Sequence, residues 1–204
     1  MFTGVIRELG VVSSLQRSKG LIRLAVYAPQ TASQVQRLES VAVNGVCLSV
    51  VDVRRHTLLF EMIPETQRRT SLRGLRAGRR VNLEPSLSVS DRINGHFVFG
   101  HVDGLGTVVT RRRIEGELIL EIRVARTLRT FLVPKGPVAV DGVSLTVGRA
   151  LSASTFTVHL IPETLRQTIL GAAAAGDRVN IELDYLAKLV RQFTRPGVST
   201  PSGY

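Results

Sequence analysis

Several things are missing from this 204-residue chain, and each absence narrows what it can be. There is one cysteine, Cys47, and no tryptophan. A lone thiol excludes an internal disulfide framework and fits a reducing compartment, so a cytoplasmic location is expected. No apolar run approaches the roughly 20 residues of a spanning helix, because Lys135 and Asp141 interrupt the richest stretch. The opening Met1-Phe-Thr-Gly-Val-Ile-Arg-Glu8 has no basic region ahead of an apolar core, so neither a secretory signal nor a membrane partner is read there. A glycine-rich phosphate loop is absent as well. The four histidines, the cysteine and the carboxylates show no metal-ligand spacing, so no metal is expected.

Acidic residues are also scarce: 27 Lys and Arg against 16 Asp and Glu give a net charge of +11. Only Lys19, Lys135 and Lys188 are lysine. A nucleic-acid surface needs basic residues gathered on one face with aromatics between them for base stacking. Here the arginines fall in short clusters such as Arg54-Arg55, Arg68-Arg69, Arg79-Arg80 and Arg111 to Arg113, mostly beside turns, and there are only seven Phe and three Tyr. The pattern reads as an arginine-biased solvated surface, with no nucleic-acid partner.

What the chain does have is duplication. Val43-Asn-Gly-Val-Cys-Leu-Ser-Val50 recurs about 97 residues later as Val140-Asp-Gly-Val-Ser-Leu-Thr-Val147. Met62 to Glu84 matches Leu160 to Glu182 at 13 of 23 positions, and a weaker match links Gly4 to Gly100. Almost the whole chain is one unit of about 100 residues written twice, a common domain size. The boundary falls near Asp91 to Gly100, which divides the chain into 1–97, 98–184 and a terminal segment 185–204. A doubled pocket suits a protein that handles two copies of one ligand.

Short alternating or β-branched runs dominate. Strands are predicted at Leu21 to Val26, Ser40 to Val43, Val46 to Val53, Leu58 to Met62 and Val81 to Glu84. In the second copy they fall at Thr107 to Thr110, Leu118 to Val124, Val138 to Val140, Val143 to Val147 and Phe156 to Leu160. Turn pairs such as Asn44-Gly45 and Asp141-Gly142 separate them. Five or six short strands per hundred residues indicate a small closed barrel in each half, in the all-β class. Helices are expected at Ala32 to Leu38, Thr66 to Leu75, Arg126 to Phe131 and Thr164 to Ala173. Tyr185 to Phe193 places Leu186, Leu189, Val190 and Phe193 on one apolar stripe, which points to association with other chains. The tail from Thr194 to Tyr204 is expected to be disordered.

The mismatches between the copies matter as much as the identities. Cys47 against Ser144 exchanges a thiol for a hydroxyl, and Asn44 against Asp141 an amide for a carboxylate. Two pockets alike in shape but unlike in acid–base character suit two identical molecules with unequal parts. Asn-Gly and Asp-Gly are also ordinary hairpin turns, and a lone Cys is often a small buried group. His96 and His101 flank Phe97-Val-Phe-Gly100, and a proton shuttle or a polar contact fits His101.

Taken together, these segments resemble the riboflavin synthase family: Met1 to Ile6, Ser40 to Leu48, Gly95-His-Phe-Val-Phe-Gly-His-Val-Asp-Gly104, Lys135-Gly136, Val140 to Val147 and His159 to Thr164. The resemblance spans residues 1 to 195. It implies two tandem six-stranded antiparallel Greek-key barrels with short helices and a C-terminal α-helix that gathers a homotrimer, with no cofactor. It also implies conversion of two molecules of 6,7-dimethyl-8-ribityllumazine into riboflavin and 5-amino-6-ribitylamino-uracil, at a site between barrels of neighbouring subunits. By motif, one pocket would use Gly4, Val5, Ile6, Cys47, Leu48, Ser49 and Glu61-Met62-Ile63-Pro64-Glu65-Thr66. The other would use Gly100, His101, Val102, Ser144, Leu145, Thr146 and His159-Leu160-Ile161-Pro162-Glu163-Thr164. Phe2, Thr3, Ser40, His96 and Asp184 would lie close by, and Lys135 would reach in from the adjoining subunit. Cys47, His101 and Ser144 would supply the polar and proton-transfer functions. Association with lumazine synthase is left open. The main alternative is a non-catalytic lumazine- or flavin-binding protein of the antenna type. Asn94 and Ser49, standing where Gly and Thr are usual, and Leu189, where an aromatic is usual, are mild departures.

Overall fold

The computed structural model describes residues 1–18, 20–114, 116–148 and 152–194. The first copy folds into strands β1 (Glu8–Ser18), β2 (Leu21–Tyr27), β3 (Ser40–Val43), β4 (Val46–Arg54), β5 (Thr57–Met62) and β6 (Arg80–Pro85). They close into an antiparallel barrel in the order β1-β2-β5-β4-β3-β6. The second copy repeats it with β7 (Gly104–Ile114), β8 (Glu117–Arg123), β9 (Pro137–Val140), β10 (Val143–Thr146), β11 (Thr155–Leu160) and β12 (Arg178–Leu183). Its sheet, in the order β10-β9-β12-β7-β8-β11, has the same neighbours. Among the described residues its ends meet at the bridge Val147 to Val158, with the Gly148 N–H donating to the Thr157 carbonyl at 2.7 Å. Gly148 stands where the first copy has Val51, and glycine weakens a strand.

Alternation explains the cores. Leu58, Phe60 and Met62 of β5 point inward between half-buried neighbours, as do Leu118, Leu120 and Ile122 of β8. Each barrel fills with its own apolar cluster. β1 and β7, the latter beginning before its predicted start and running past its end, both carry a bulge at equivalent places, between Val12 and Ser14 and between Val108 and Thr110. A bulge sharpens the twist that closure needs. β1 and β12 are strands that periodicity did not single out.

β6 and β12 are different, because both of their faces are covered. Val81 and Leu83 fill one barrel, Val179 and Ile181 the other. The opposite faces carry Asn82, Glu84, Asn180 and Glu182, all buried. Asn82 sends its amide N–H to the Asp141 carbonyl at 2.9 Å, and Asn180 sends its own to the Asn44 carbonyl at 2.8 Å. The Asn44 Oδ1 accepts from the Asn82 N–H at 2.7 Å and the Asp141 Oδ1 from the Asn180 N–H at 2.8 Å. Gly45 and Gly142 meet at the pseudo-two-fold axis, where a β-carbon on Gly45 would lie 2.5 Å from the Gly142 nitrogen. Their turns have positive φ at both central residues, which matches the right-handed twist of the hairpins. Asn44 and Asp141 are therefore buried turn residues at the contact between barrels. The acid–base difference between them does not belong to the sites at Cys47 and Ser144.

The helices are displaced for a related reason. α1 (Pro29–Ala32) lies ahead of its expected place and α3 (Arg126–Arg129) is a single turn. α2 (Pro64–Arg69) and α4 (Pro162–Gln167) begin at Pro, whose fixed φ suits a first helical position. Each then breaks at an extended residue, Thr70 or Thr168, before a 3₁₀ turn, Ser71–Gly74 or Ile169–Ala172. The break frees the Ser71 N–H for Asn180 Oδ1 at 2.7 Å and the Ile169 N–H for Asn82 Oδ1 at 2.8 Å. A continuous helix would leave both amides without their donors. α5 (Tyr185–Thr194) follows, with Leu186, Val190 and Phe193 well exposed. All but Thr194 of the tail expected to be disordered lies outside the described residues. No helix among the described residues is long and apolar enough to cross a membrane.

Two outcomes follow for stability. Asn180→Ala strands the Asn44 carbonyl and the Ser71 N–H, at about 1–3 kcal/mol each, and should lower the unfolding free energy measured in urea by several times the effect of an exposed Asn-to-Ala change. Burial pushes the Asp141 carboxyl up to about 7 from 3.8. Between those values the folded state holds a proton that the unfolded chain has released, so this group makes stability fall as pH rises from about 4 to about 7. Asp141→Asn, which copies Asn44, should raise the melting temperature more at pH 8 than at pH 4.

Candidate functional site

The two barrels exchange the segments that precede β1 and β7. Phe2 and Val98 pair as an antiparallel bridge, each donating its N–H to the other's carbonyl at 2.7 and 3.1 Å. The Phe2 ring is fully buried with Ala42, Val98 and Ala139. Beyond that bridge each segment is gripped by a carboxylate of its own copy. Glu84 accepts from the Thr3 N–H at 2.7 Å, the Thr3 hydroxyl at 2.8 Å and the Gly4 N–H at 3.0 Å. Glu182 accepts from the Phe99 N–H at 2.6 Å and the Gly100 N–H at 3.0 Å. Desolvation pushes both carboxyls up, and these hydrogen bonds pull the other way.

Each segment then lies on the opposite barrel. The Ser144 N–H donates to the Gly4 carbonyl at 2.8 Å, and the Cys47 N–H donates to the Gly100 carbonyl at 3.0 Å. Ile6 packs on the second core and Val102 on the first. The grouping expected from motif order is thus reversed. Gly100, His101 and Val102 accompany Cys47, Leu48 and Ser49, whereas Gly4, Val5 and Ile6 accompany Ser144, Leu145 and Thr146. Gly4 and Gly100 have φ of +78° and +76°, and a β-carbon on them would sit 2.6 Å from Ser144 Cβ and 2.5 Å from Cys47 Cβ.

Why a site forms there follows from strand pairing. Register between β4 and β5 ends at Val50 and Phe60, so Cys47 and Ser49 sit on a stretch of β4 paired only with β3. Antiparallel alternation, counted from the two-residue turn, aims the N–H and C=O of residues 47 and 49 away from β3. The same holds for Ser144 and Thr146 beside β9. Cys47 and Ser144 are half-buried and Ser49 and Thr146 exposed, whereas Leu48 is buried in the first core and Leu145 packs against the second. Ile63 and Ile161, 54% and 59% exposed just before α2 and α4, add an apolar surface in each copy.

The two sites differ in their polar groups. His96 Nδ1 lies 2.7 Å from Ser144 Oγ. Burial holds the His96 imidazole below its ordinary value, opposed by the charge of Asp184, so it is neutral at neutral pH. None of the hydrogen bonds among the described residues involves the Cys47 thiol, which packs beside the Phe2 cluster. His101 is exposed and stacks on Phe99 at 6.3 Å.

Other expected residues are occupied elsewhere. Met62 and Leu160 belong to the cores, and Thr3 spends its hydroxyl on Glu84. Ser40 begins β3 opposite Ser49. Glu61 pairs with Arg23 at 2.8 Å and His159 with Glu117 at 2.9 Å on the barrel surfaces. Glu65 pairs with Arg69, and Glu163 with Arg166 and Gln167. Pro64 and Pro162 start helices, and the carbonyls of Thr66 and Thr164 accept from Thr70 and Thr168. Lys135 is exposed with φ of 65°. Asp103, which motif reading passed over, accepts from the Leu183 N–H and from Lys188, both ammonium distances being 3.0 Å, and so ties α5 to the segment beside Cys47. Glu84 and Glu182 were passed over too. Their signal was the polar residue repeated in Val-Asn-Leu-Glu84 and Val-Asn-Ile-Glu182.

Comparison with known proteins fits this doubled arrangement. A family model described as the lumazine binding domain matches residues 3–86 and again 99–184. The riboflavin synthase of Bacillus subtilis strain 168 is 36% identical over 193 residues, 95% of this chain and 89% of that protein. That of Mycobacterium bovis is 40% identical over 198 residues, 96% of this chain and 98% of that protein. The crystal structure of LumP complexed with 6,7-dimethyl-8-(1'-D-ribityl) lumazine superposes with a TM-score of 0.81 at 22% identity, covering 90% of this chain and 99% of that one. At that identity the likeness concerns the fold.

Gly100→Ala separates packing from backbone strain. Gly20 has φ of +80° with nothing within 4 Å, so Gly20→Ala meets only the left-handed penalty, about 1–2 kcal/mol. In thermal denaturation Gly100→Ala should cost clearly more, because its methyl also meets Cys47. Equal losses would contradict the crossing described.

Proposed function

The chain belongs to the riboflavin synthase family, with two lumazine binding domains, and from that membership we propose that it dismutates 6,7-dimethyl-8-ribityllumazine. Two molecules of substrate yield riboflavin and 5-amino-6-ribitylamino-uracil, a four-carbon unit passing from donor to acceptor. The atoms of two substrates equal those of the two products, so no oxidant is consumed. The units are 1–97 and 98–184, followed by a terminal segment, 185–204, whose helix α5 assembles the chains.

The observation that carries this reading is the pair of open strand edges with unequal side chains. Each edge offers backbone donors and acceptors to a planar heterocycle. The sites are built alike, yet only Ser144 has a neutral imidazole at hydrogen-bonding distance. One 7-methyl group must lose a proton, and one C7 must accept a nucleophile. His96 takes the proton from Ser144 Oγ or from a water held there, a role that a half-buried neutral imidazole can fill. Cys47 and His101 serve the other bound molecule. Holding both reactants in place removes translational entropy from the barrier.

The exposed stripe of Leu186, Leu189, Val190 and Phe193 on α5 supports assembly into a homotrimer, in which a first-copy site faces a second-copy site of a neighbour and Lys135 reaches across. A non-catalytic lumazine carrier is the second reading, favoured by the likeness of fold to LumP.

Anaerobic incubation with 6,7-dimethyl-8-ribityllumazine separates the two: riboflavin fluorescence appears for an enzyme, and only bound substrate for a carrier. Ser144→Ala and His96→Gln should each lower kcat by about 10²-fold, and the double variant should be no worse than either, as for groups that act as a unit. Unchanged turnover in Cys47→Ala, Ser144→Ala and their combination would remove both side chains from the chemistry.

A further inference from the structure

A cleft of about 1120 Å³ straddles the pseudo-two-fold axis, with Asn44 and Asp141 among its lining residues, and it contains none of the residues of the two sites above. Its walls come from equivalent parts of the two copies, between the ends of α2 and α4 and the starts of β6 and β12, and they have diverged. The first-copy wall carries Arg68, Arg73, Arg79 and Arg80. None of these four makes an ion pair among the described residues. On the second-copy wall the positions of Arg73 and Arg79 are Gly171 and Asp177; Arg166 and Arg178 stand at the positions of Arg68 and Arg80, Arg166 paired with Glu163, among the apolar Leu165, Ile169, Ala172 and Ala174. Both copies fold the same turn, so the fold itself does not require the extra arginines. Four arginines without an ion pair thus gather on one side of the concave surface, against Arg178 with Asp177 beside it on the other.

We propose that this cleft binds a phosphorylated ligand of nucleotide size, its phosphates on the arginine wall and its planar apolar part on the opposite wall. Guanidinium groups match phosphate oxygens in bidentate geometry and lose little hydration on contact. Recognition comes from side chains, which is consistent with the absence of a glycine-rich loop. The volume suits one small molecule. An apolar wall of small residues lets a flat ring approach closely.

The test uses the full chain with ADP, pyrophosphate and adenosine in equilibrium dialysis at low salt, alongside a short single-stranded RNA. A doubly substituted variant, Arg73→Gly with Arg79→Asp, gives the first copy the residues its twin already folds with. Saturable binding of ADP is expected, about tenfold tighter than pyrophosphate and weakening with salt, with none for adenosine. The variant should lose at least about tenfold in ADP affinity while its turnover of 6,7-dimethyl-8-ribityllumazine stays as in the parent. The proposal is overturned if ADP does not saturate, if the variant binds it equally well, or if pyrophosphate binds as tightly. RNA binding more tightly than ADP, with the same loss in the variant, would also overturn it in favour of a nucleic-acid surface.

Discussion

Two strands buried on both faces set the terms for this molecule. In β6 and β12 the inward residues are ordinary core, but the outward ones are Asn82, Glu84, Asn180 and Glu182, which water cannot reach. A buried amide or carboxylate without a partner is costly, and here the partners lie in the other barrel or in the segment crossing to it. The barrels are not two beads on a string. Separating them would strand the side chains of Asn82 and Asn180 and expose the Phe2 cluster.

That constraint also produces the sites. Glu84 and Glu182 hold the chain where it leaves one copy, so that Gly4 and Gly100 arrive against Ser144 and Cys47 of the other. Each candidate site is thereby a composite of both copies, and neither half of the sequence could form one alone. Duplication supplies the shared shape. The residues that differ, Cys47 and Ser144 above all, supply the inequality that the proposed reaction between two identical molecules requires.

Much of this was legible in the amino acids and some was not. Repetition, strand periodicity and turn pairs marked ten of the twelve strands, because in-and-out alternation is local. β12 repeats in Val-Asn-Ile-Glu182 the Val-Asn-Leu-Glu84 that marked β6, so duplication rather than any local signal of its own carried the information. The helices after Pro64 and Pro162 were expected to be longer because nothing local marks Thr70 or Thr168 as a break; the amides released there go to residues over 80 positions away. The exchange of Gly4 and Gly100 between sites was invisible for the same reason. Motif order pairs residues within a copy, whereas the hydrogen bonds pair them across copies. Asp141 looked like chemistry and is architecture.

A crystal structure of the assembled protein soaked with 6,7-dimethyl-8-ribityllumazine tests the account most directly. It should show one ligand against Cys47 to Ser49 with Gly100 to Val102, and another against Ser144 to Thr146 with Gly4 to Ile6. The two rings should face each other across neighbouring subunits. Ligand held elsewhere, or rings opening toward solvent with no opposing partner, would contradict it.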